Sequence, residues 1–158
     1  MLEDVIERGV HVLFVGINPD PHSFLVGKFY AGRSNHFWFC LNSTDLVWTH
    51  VGPSDSARMA KDFGVGFTNL CSRPTHTAAE LTAEEKETGA RLLKRKIRYY
   101  RPSVVCFLSI DAYKVFSGAK DFSLGLQPDP IYKWSDRQFD FTVAFVTPNS
   151  SAKVVAYQ

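Results

Sequence analysis

Three short apolar runs, each broken by glycine, proline or polar residues, constrain what this chain can fold into. They are HVLFVG (His11 to Gly16), SVVCFL (Ser103 to Leu108) and FTVAFV (Phe141 to Val146, ending at Thr147-Pro148). Near-continuous apolar runs of this length, rich in valine and phenylalanine, read as strands buried on both faces, the pattern of a parallel sheet. Helical patterns lie between them. The clearest runs from about Ala79 to Tyr100: Thr82 and Glu85 form a capping box, Glu80, Glu84, Glu85 and Glu87 crowd the start, and Pro102 ends it. Leu93, Ile97 and Tyr100 recur there at helical spacing. Shorter helices are expected over 35–41, with Asn35 as N-cap, over 54–62 and over 111–116. Gly64 to Leu70 fits a loop or a short strand. Residues 17–34 read as a long loop holding one helical turn, ordered by Phe24, Phe29 and Tyr30. Strands alternating with helices predict an α/β fold, a three-layer α/β/α arrangement with a short central parallel sheet, as a single domain over 1–158.

Length and composition agree. A chain of 158 residues with 45% hydrophobic and 22% charged content can bury one full-sized core and has no room for a second ordinary domain. No apolar run reaches a membrane span and no signal pattern opens the chain, so an intracellular protein is expected. The three cysteines, Cys40, Cys71 and Cys106, form no C-x-x-C pair and read as reduced thiols of a packed interior. The five histidines show no metal spacing. A net charge of +2 permits contact with nucleic acid without demanding it. The basic run Arg91 to Arg101 sits where a helix C-terminus favours cations anyway, so it reads as a solvated face.

Ligand sites of open α/β sheets lie beyond the C-terminal ends of the strands. Two strand ends here carry unusual polar sequence: Gly16-Ile17-Asn18-Pro19, and Thr147-Pro148-Asn149-Ser150-Ser151-Ala152-Lys153. The first is neither a dinucleotide fingerprint nor a Walker loop. It offers an amide held before a proline of fixed φ, suited to holding a water or a base edge and equally to forming a turn.

Together with GKFYAGRSNHFW (Gly27 to Trp38), GVGFTN (Gly64 to Asn69) and GLQP (Gly125 to Pro128), these two segments resemble the mismatch-specific uracil/thymine-DNA glycosylases of the uracil-DNA glycosylase superfamily. The resemblance runs in order from about Val10 to Ala156 and is closer to the eukaryotic thymine branch. It implies that Asn18 positions the attacking water and that Thr68 helps to hold it. It implies a base pocket of Ile17, Phe29, Tyr30 and Asn35. Asn149, Ser150, Ser151 and Ala152 would grip DNA phosphates, with Lys153 as a wedge in the vacated stack. No metal or cofactor is implied. The implied partner is double-stranded DNA with a G·U or G·T mispair, bound by a monomer without membrane contact, in the nucleus if the source is eukaryotic.

Three positions depart from the family pattern. Asp20 stands where glycine is usual; it could be a second carboxylate acting on water, or the N-cap of a turn opened by Pro21. Phe29 replaces the histidine usual in the thymine branch. Lys153 replaces an arginine or leucine and lacks arginine's planar fork. The family continues into a final helix where this sequence stops at Gln158, so the sequence reads as a trimmed domain. The expected activity is hydrolysis of the N-glycosidic bond of mispaired uracil and thymine, extending to 5-formyl- and 5-carboxylcytosine. The alternatives are a uracil-restricted glycosylase of the same fold and an inactive mismatch-binding module.

Overall fold

The computed structural model describes residues 1–135 and 140–148. The three apolar runs form the middle of one sheet. Its strands are β1 (Val12–Gly16), β2 (Val65–Asn69), β3 (Val104–Phe107), β4 (Gly125–Leu126), β5 (Tyr132–Lys133) and β6 (Phe141–Val146). The order is β2-β1-β3-β6-β4, with β5 also paired to β6. The strands β2, β1, β3 and β6 are parallel, with Val15 beside Thr68 on one side and beside Phe107 on the other.

The helices are α1 (Pro21–Val26), α2 (Phe37–Asn42), α3 (Met59–Phe63), α4 (Ala83–Tyr100) and α5 (Ile110–Ser117). Alternation along the strands sends their side chains to two cores. Leu13, Val15, Val105 and Phe107 meet Leu93 and Ile97 of α4 and Ala112 and Phe116 of α5. Phe14, Val65, Phe67 and Cys106 meet Phe37, Trp38 and Leu41 of α2 and Met59 and Phe63 of α3. The sheet is therefore the middle of three layers. Each large side chain fully buried there contributes about 1.5–3 kcal/mol relative to exposure.

The expected capping box is present: Thr82 Oγ1 accepts from Glu85 N at 3.1 Å and α4 starts at Ala83. The turn before it, Ala78–Glu80, is a separate 3₁₀ element with its own box from Thr77 and Glu80. The helical turn expected in the long loop is α1. The segment at 54–62 divides into a 3₁₀ turn (Pro53–Arg58) followed by α3. Among the described residues, no helix is long and apolar enough to cross a membrane.

Two expectations change. The sheet is not wholly parallel, because β4 and β5 join β6 antiparallel at its outer side. Strands of two residues carry no periodicity from which their direction could be read. Cys71 and Cys106 are buried as expected, but Cys40 is exposed on α2, whose buried residues are Phe37, Trp38 and Leu41. The basic run at the end of α4 sets its charged groups over aromatic rings: the Lys94 ammonium over Phe116, and the guanidinium groups of Arg98 and of the C-cap Arg101 over Tyr132 and Trp134. Lys96 turns inward to Asp4 at 2.6 Å.

Gly89 of α4 fixes how closely that helix approaches the loop after β2. A Cβ there would lie 2.1 Å from the carbonyl oxygen of Leu70, a main-chain atom. Gly89→Ala is expected to destabilise the domain by roughly 1–3 kcal/mol through overpacking, exceeding the gain of about 1 kcal/mol in helix propensity. Urea denaturation checks it; an unchanged or raised midpoint would show that α4 can shift freely.

Candidate active site

Pairing between β1 and β2 continues beyond both strands. Leu70 N donates to Gly16 O at 2.8 Å, Cys71 N to Ile17 O at 2.9 Å and Thr75 N to Pro19 O at 3.4 Å. The two loops are thereby zipped together, and Asn18 reaches across the seam. Its Nδ2 donates to Arg73 O at 2.9 Å and to Thr75 Oγ1 at 2.7 Å. A carboxamide nitrogen has two protons, so both are committed, and Oδ1 has no partner among the described residues and remains an acceptor. The amide oxygen of this half-buried residue, at the end of a central strand, is suited to orienting a water.

On the α2 face of the sheet, the end of β1 is walled by aromatics. Tyr30 stacks on Phe37 with ring centroids 4.3 Å apart, and Phe37 packs edge-on against Phe67. Tyr30 adopts φ +51°, a left-handed conformation rare for a bulky residue and a local strain. Its hydroxyl is buried and has no hydrogen-bond partner among the described residues. Burial pushes that phenol well above its ordinary range, so it stays a neutral donor. Gly16 lies beside it: a Cβ at Gly16 would sit 3.6 Å from the Tyr30 hydroxyl and 2.6 Å from Asn69 Oδ1. Only glycine allows these two polar groups so close to the strand end.

Asp20 is the N-cap of α1. Its Oδ1 accepts from Ser23 N at 2.9 Å and its Oδ2 from Ser23 Oγ at 2.7 Å. Ser23 Oγ in turn accepts from Ala31 N at 3.0 Å, so the cap also tethers the residue after Tyr30. Both carboxylate oxygens are thus engaged in local structure. Asn35 starts α2 one position earlier than a formal cap: its Oδ1 accepts from Phe37 N at 2.9 Å, leaving Nδ2 as a donor.

The other expected site residues are placed differently. The Ile17 side chain lies in the core under α4, and the residue reaches the site through its main chain. Phe29 is 2% exposed and stacks on Phe67 at 5.2 Å, while its main chain bonds Ser56 Oγ and Trp38 Nε1. It is a core residue beneath Tyr30 and offers no ring edge at an open wall. Thr68 is fully buried on the α4 face; its hydroxyl donates to Asp4 Oδ1 at 2.6 Å and accepts from Lys96 Nζ at 3.2 Å. The structure does not bring that hydroxyl to Asn18. The neighbouring Asn69 faces the Tyr30 side instead, because consecutive strand residues alternate. Sequence reading missed Asn69, Arg73 and Thr75. Asn69 shares the period of Val65 and Phe67, which could have revealed its face. Arg73 and Thr75 sit in a loop and give no such signal. Asn149, Ser150, Ser151, Ala152 and Lys153 lie outside the described residues.

The fold is thus a three-layer α/β/α domain with Asn18 anchored at the end of its first strand. The chain belongs to the uracil DNA glycosylase superfamily, whose family model matches residues 4–157. It is 33% identical over 164 aligned positions to a G/U mismatch-specific uracil DNA glycosylase of Schizosaccharomyces pombe, with 98% of this chain and 48% of that protein covered. The chain spans about half the length of that relative.

Asp20→Ala removes the cap and the Ser23 tether and is expected to cost about 1 kcal/mol. Asp20→Asn keeps an oxygen for Ser23 N but sets an NH₂ against Ser23 Oγ, so its cost should be smaller. Denaturation midpoints and uracil excision against pH are the measurements. A collapse of activity in Asp20→Asn at unchanged stability, with loss of the acidic limb, would make Asp20 a general base.

Proposed function

We propose that this domain binds double-stranded DNA, flips out a uracil mispaired with guanine and hydrolyses its bond to the deoxyribose. The observation that carries this reading is the Asn18 amide, both protons engaged and its oxygen without a partner among the described residues, at the strand end of a domain of this family. The matched relative is named for G/U mismatches, which supports guanine-paired uracil as the first substrate.

The chemistry follows from what an asparagine can do. Breaking an N-glycosidic bond develops positive charge on the sugar and negative charge on the leaving base. Asn18 Oδ1 would hold a water beside the anomeric carbon, trading a bimolecular encounter for a fixed geometry. Donors near the departing base stabilise its charge, and the Tyr30 hydroxyl, Asn35 Nδ2 and the Asn69 amide supply candidates. A neutral amide is a poor general base, so the rate should depend on how well the base leaves. Uracil leaves better than thymine, whose methyl group raises the basicity of its anion. The order expected is therefore G·U ahead of G·T, with 5-formyl- and 5-carboxylcytosine, whose substituents withdraw charge, as further substrates. Flipping costs a few kcal/mol, less for a mispair, which biases selection toward mismatches. Asn149 to Lys153 would supply phosphate contacts and the wedge, acting on DNA as a monomer.

Single-turnover release from labelled G·U and G·T duplexes, read by alkaline cleavage, tests the reading. Cleavage of G·U alone would favour the uracil-restricted enzyme, and tight binding with no cleavage a mismatch-binding module. Asn18→Ala is expected to slow base release by about 100-fold or more while leaving duplex affinity nearly unchanged, because the lost water geometry matters only on the way to the transition state. Near-normal release by that variant would move the chemistry elsewhere. Affinity should also fall with salt, at about −0.9 in the log–log slope per phosphate contacted and with roughly three to five contacts. A slope of zero would remove the DNA partner.

A further inference from the structure

The amide of Asn18 is nearly symmetric in shape, yet only its oxygen can accept a hydrogen bond from water. Sterics alone do not decide which end faces the water, so something must choose. Both partners of the nitrogen do so. The main-chain carbonyl of Arg73 can only accept. Thr75 Oγ1 donates its single proton to Thr77 O at 2.7 Å and so presents only lone pairs to Asn18. Turning the amide over would set Oδ1 against two acceptors and lose both bonds.

These acceptors sit in a loop that is itself clamped to the start of α4. Arg73 grips Glu85 with a two-pronged contact, Nε to Oε1 at 3.0 Å and Nη2 to Oε2 at 3.2 Å, and Nη2 also donates to Glu80 O at 2.8 Å. Glu85 belongs to the capping box of α4, its Oε2 accepting from Thr82 N at 3.4 Å. Glu80 Oε2 accepts from Thr77 N at 2.9 Å, which steadies the residue whose carbonyl polarises Thr75. The Arg73–Glu85 pair is about half-exposed, and such pairs contribute little to stability. Its consequence is geometric: it holds the Arg73 carbonyl and the Thr75 hydroxyl where Asn18 meets them.

The geometry points to Thr75 as the lock that sets the orientation of the Asn18 amide, and to Arg73 and Glu85 as positioning residues that hold this lock in place. This rests on the reading of Asn18 as the residue that orients water. None of the three touches the reacting atoms; they act through Asn18.

Two readouts on the intact chain test the lock. The first is hydrogen exchange of the Asn18 side-chain amide by nuclear magnetic resonance, its signals assigned by their loss in Asn18→Ala. The second is single-turnover uracil release from a G·U duplex, measured beside duplex affinity and melting temperature. Thr75→Val, which keeps the shape and removes the acceptor, is expected to speed exchange by about tenfold and to slow release by roughly 10- to 100-fold. Affinity should hold, and the melting temperature should fall only modestly, as the loss of two hydrogen bonds requires, with the variant still folded at the assay temperature. Thr75→Ser should restore most of both effects. Arg73→Lys, which cannot form the two-pronged contact, should act in the same direction as Thr75→Val and serves if the valine variant misfolds. The proposal is overturned if Asn18 exchange is unprotected in the wild type, if it is indifferent to both variants, or if the losses follow stability or affinity. If the wild type releases no base while protection still depends on Thr75 and Arg73, the glycosylase reading fails and the lock stands.

Discussion

The parallel pairing of β1 with β2 is the interaction on which the rest of the site depends. Inside the sheet it is an ordinary ladder from Val12–Val65 to Gly16–Asn69. Past the last pair it continues through main-chain bonds from Leu70 and Cys71 to Gly16 and Ile17, where most parallel strands diverge into separate loops. The loop carrying Asn18 and the loop carrying Arg73 and Thr75 are thus one unit. Their backbone groups are satisfied by each other, and of the Asn18 amide only the oxygen is without a partner among the described residues. Val5 closes the other edge of β2 by an antiparallel bridge to Phe67, so the strand that anchors the second loop is held from both sides.

The aromatic layer on the opposite side of the strand end solves a different problem. Tyr30 carries a strained backbone, and such strain persists only where the surroundings over-determine it. Here they do. Phe29 is pinned through both its main-chain groups and its ring, Ala31 is tethered to Ser23, and Tyr30 lies between them on Phe37. Aromatic contacts of this kind contribute roughly 0.5–1.5 kcal/mol each beyond their area, enough together to offset a strained residue. Phe29 is therefore better understood as the floor that holds Tyr30 in place than as a reader of the base.

Much of this was legible in the chain because it is written in local chemistry. Thr82 and Glu85 announce the start of α4, Asp20 and Pro21 announce α1, and the apolar runs announce β1, β3 and β6. The face to which a strand residue points is not local. The period groups Asn69 with Val65 and Phe67 and sets Thr68 opposite, but it does not say which of the two faces carries Tyr30. Only the packing of Phe67 against Tyr30, and of Lys96 against Thr68, decides between them. The same limit explains Ile17 and Phe29: their neighbourhood in sequence is the site's, while their side chains serve the two cores. The short strands β4 and β5 were hidden for a different reason, since two residues cannot show a period.

The balance between anchoring and availability at Asn18 follows from its being a neutral group. A carboxylate attracts a water and its proton by charge, over a distance and with tolerance for angle. An amide oxygen offers only a directed lone pair, so its worth falls quickly with misplacement. A domain that relies on such a group must make its position rigid without using up its oxygen. Engaging the nitrogen twice, with acceptors that are themselves held, does both. It also explains why the residues that matter most to Asn18 are drawn from a loop beyond β2 and the first turn of α4. Groups on the Asn18 loop itself would move with it, whereas a helix start braced against a strand end supplies a reference that does not.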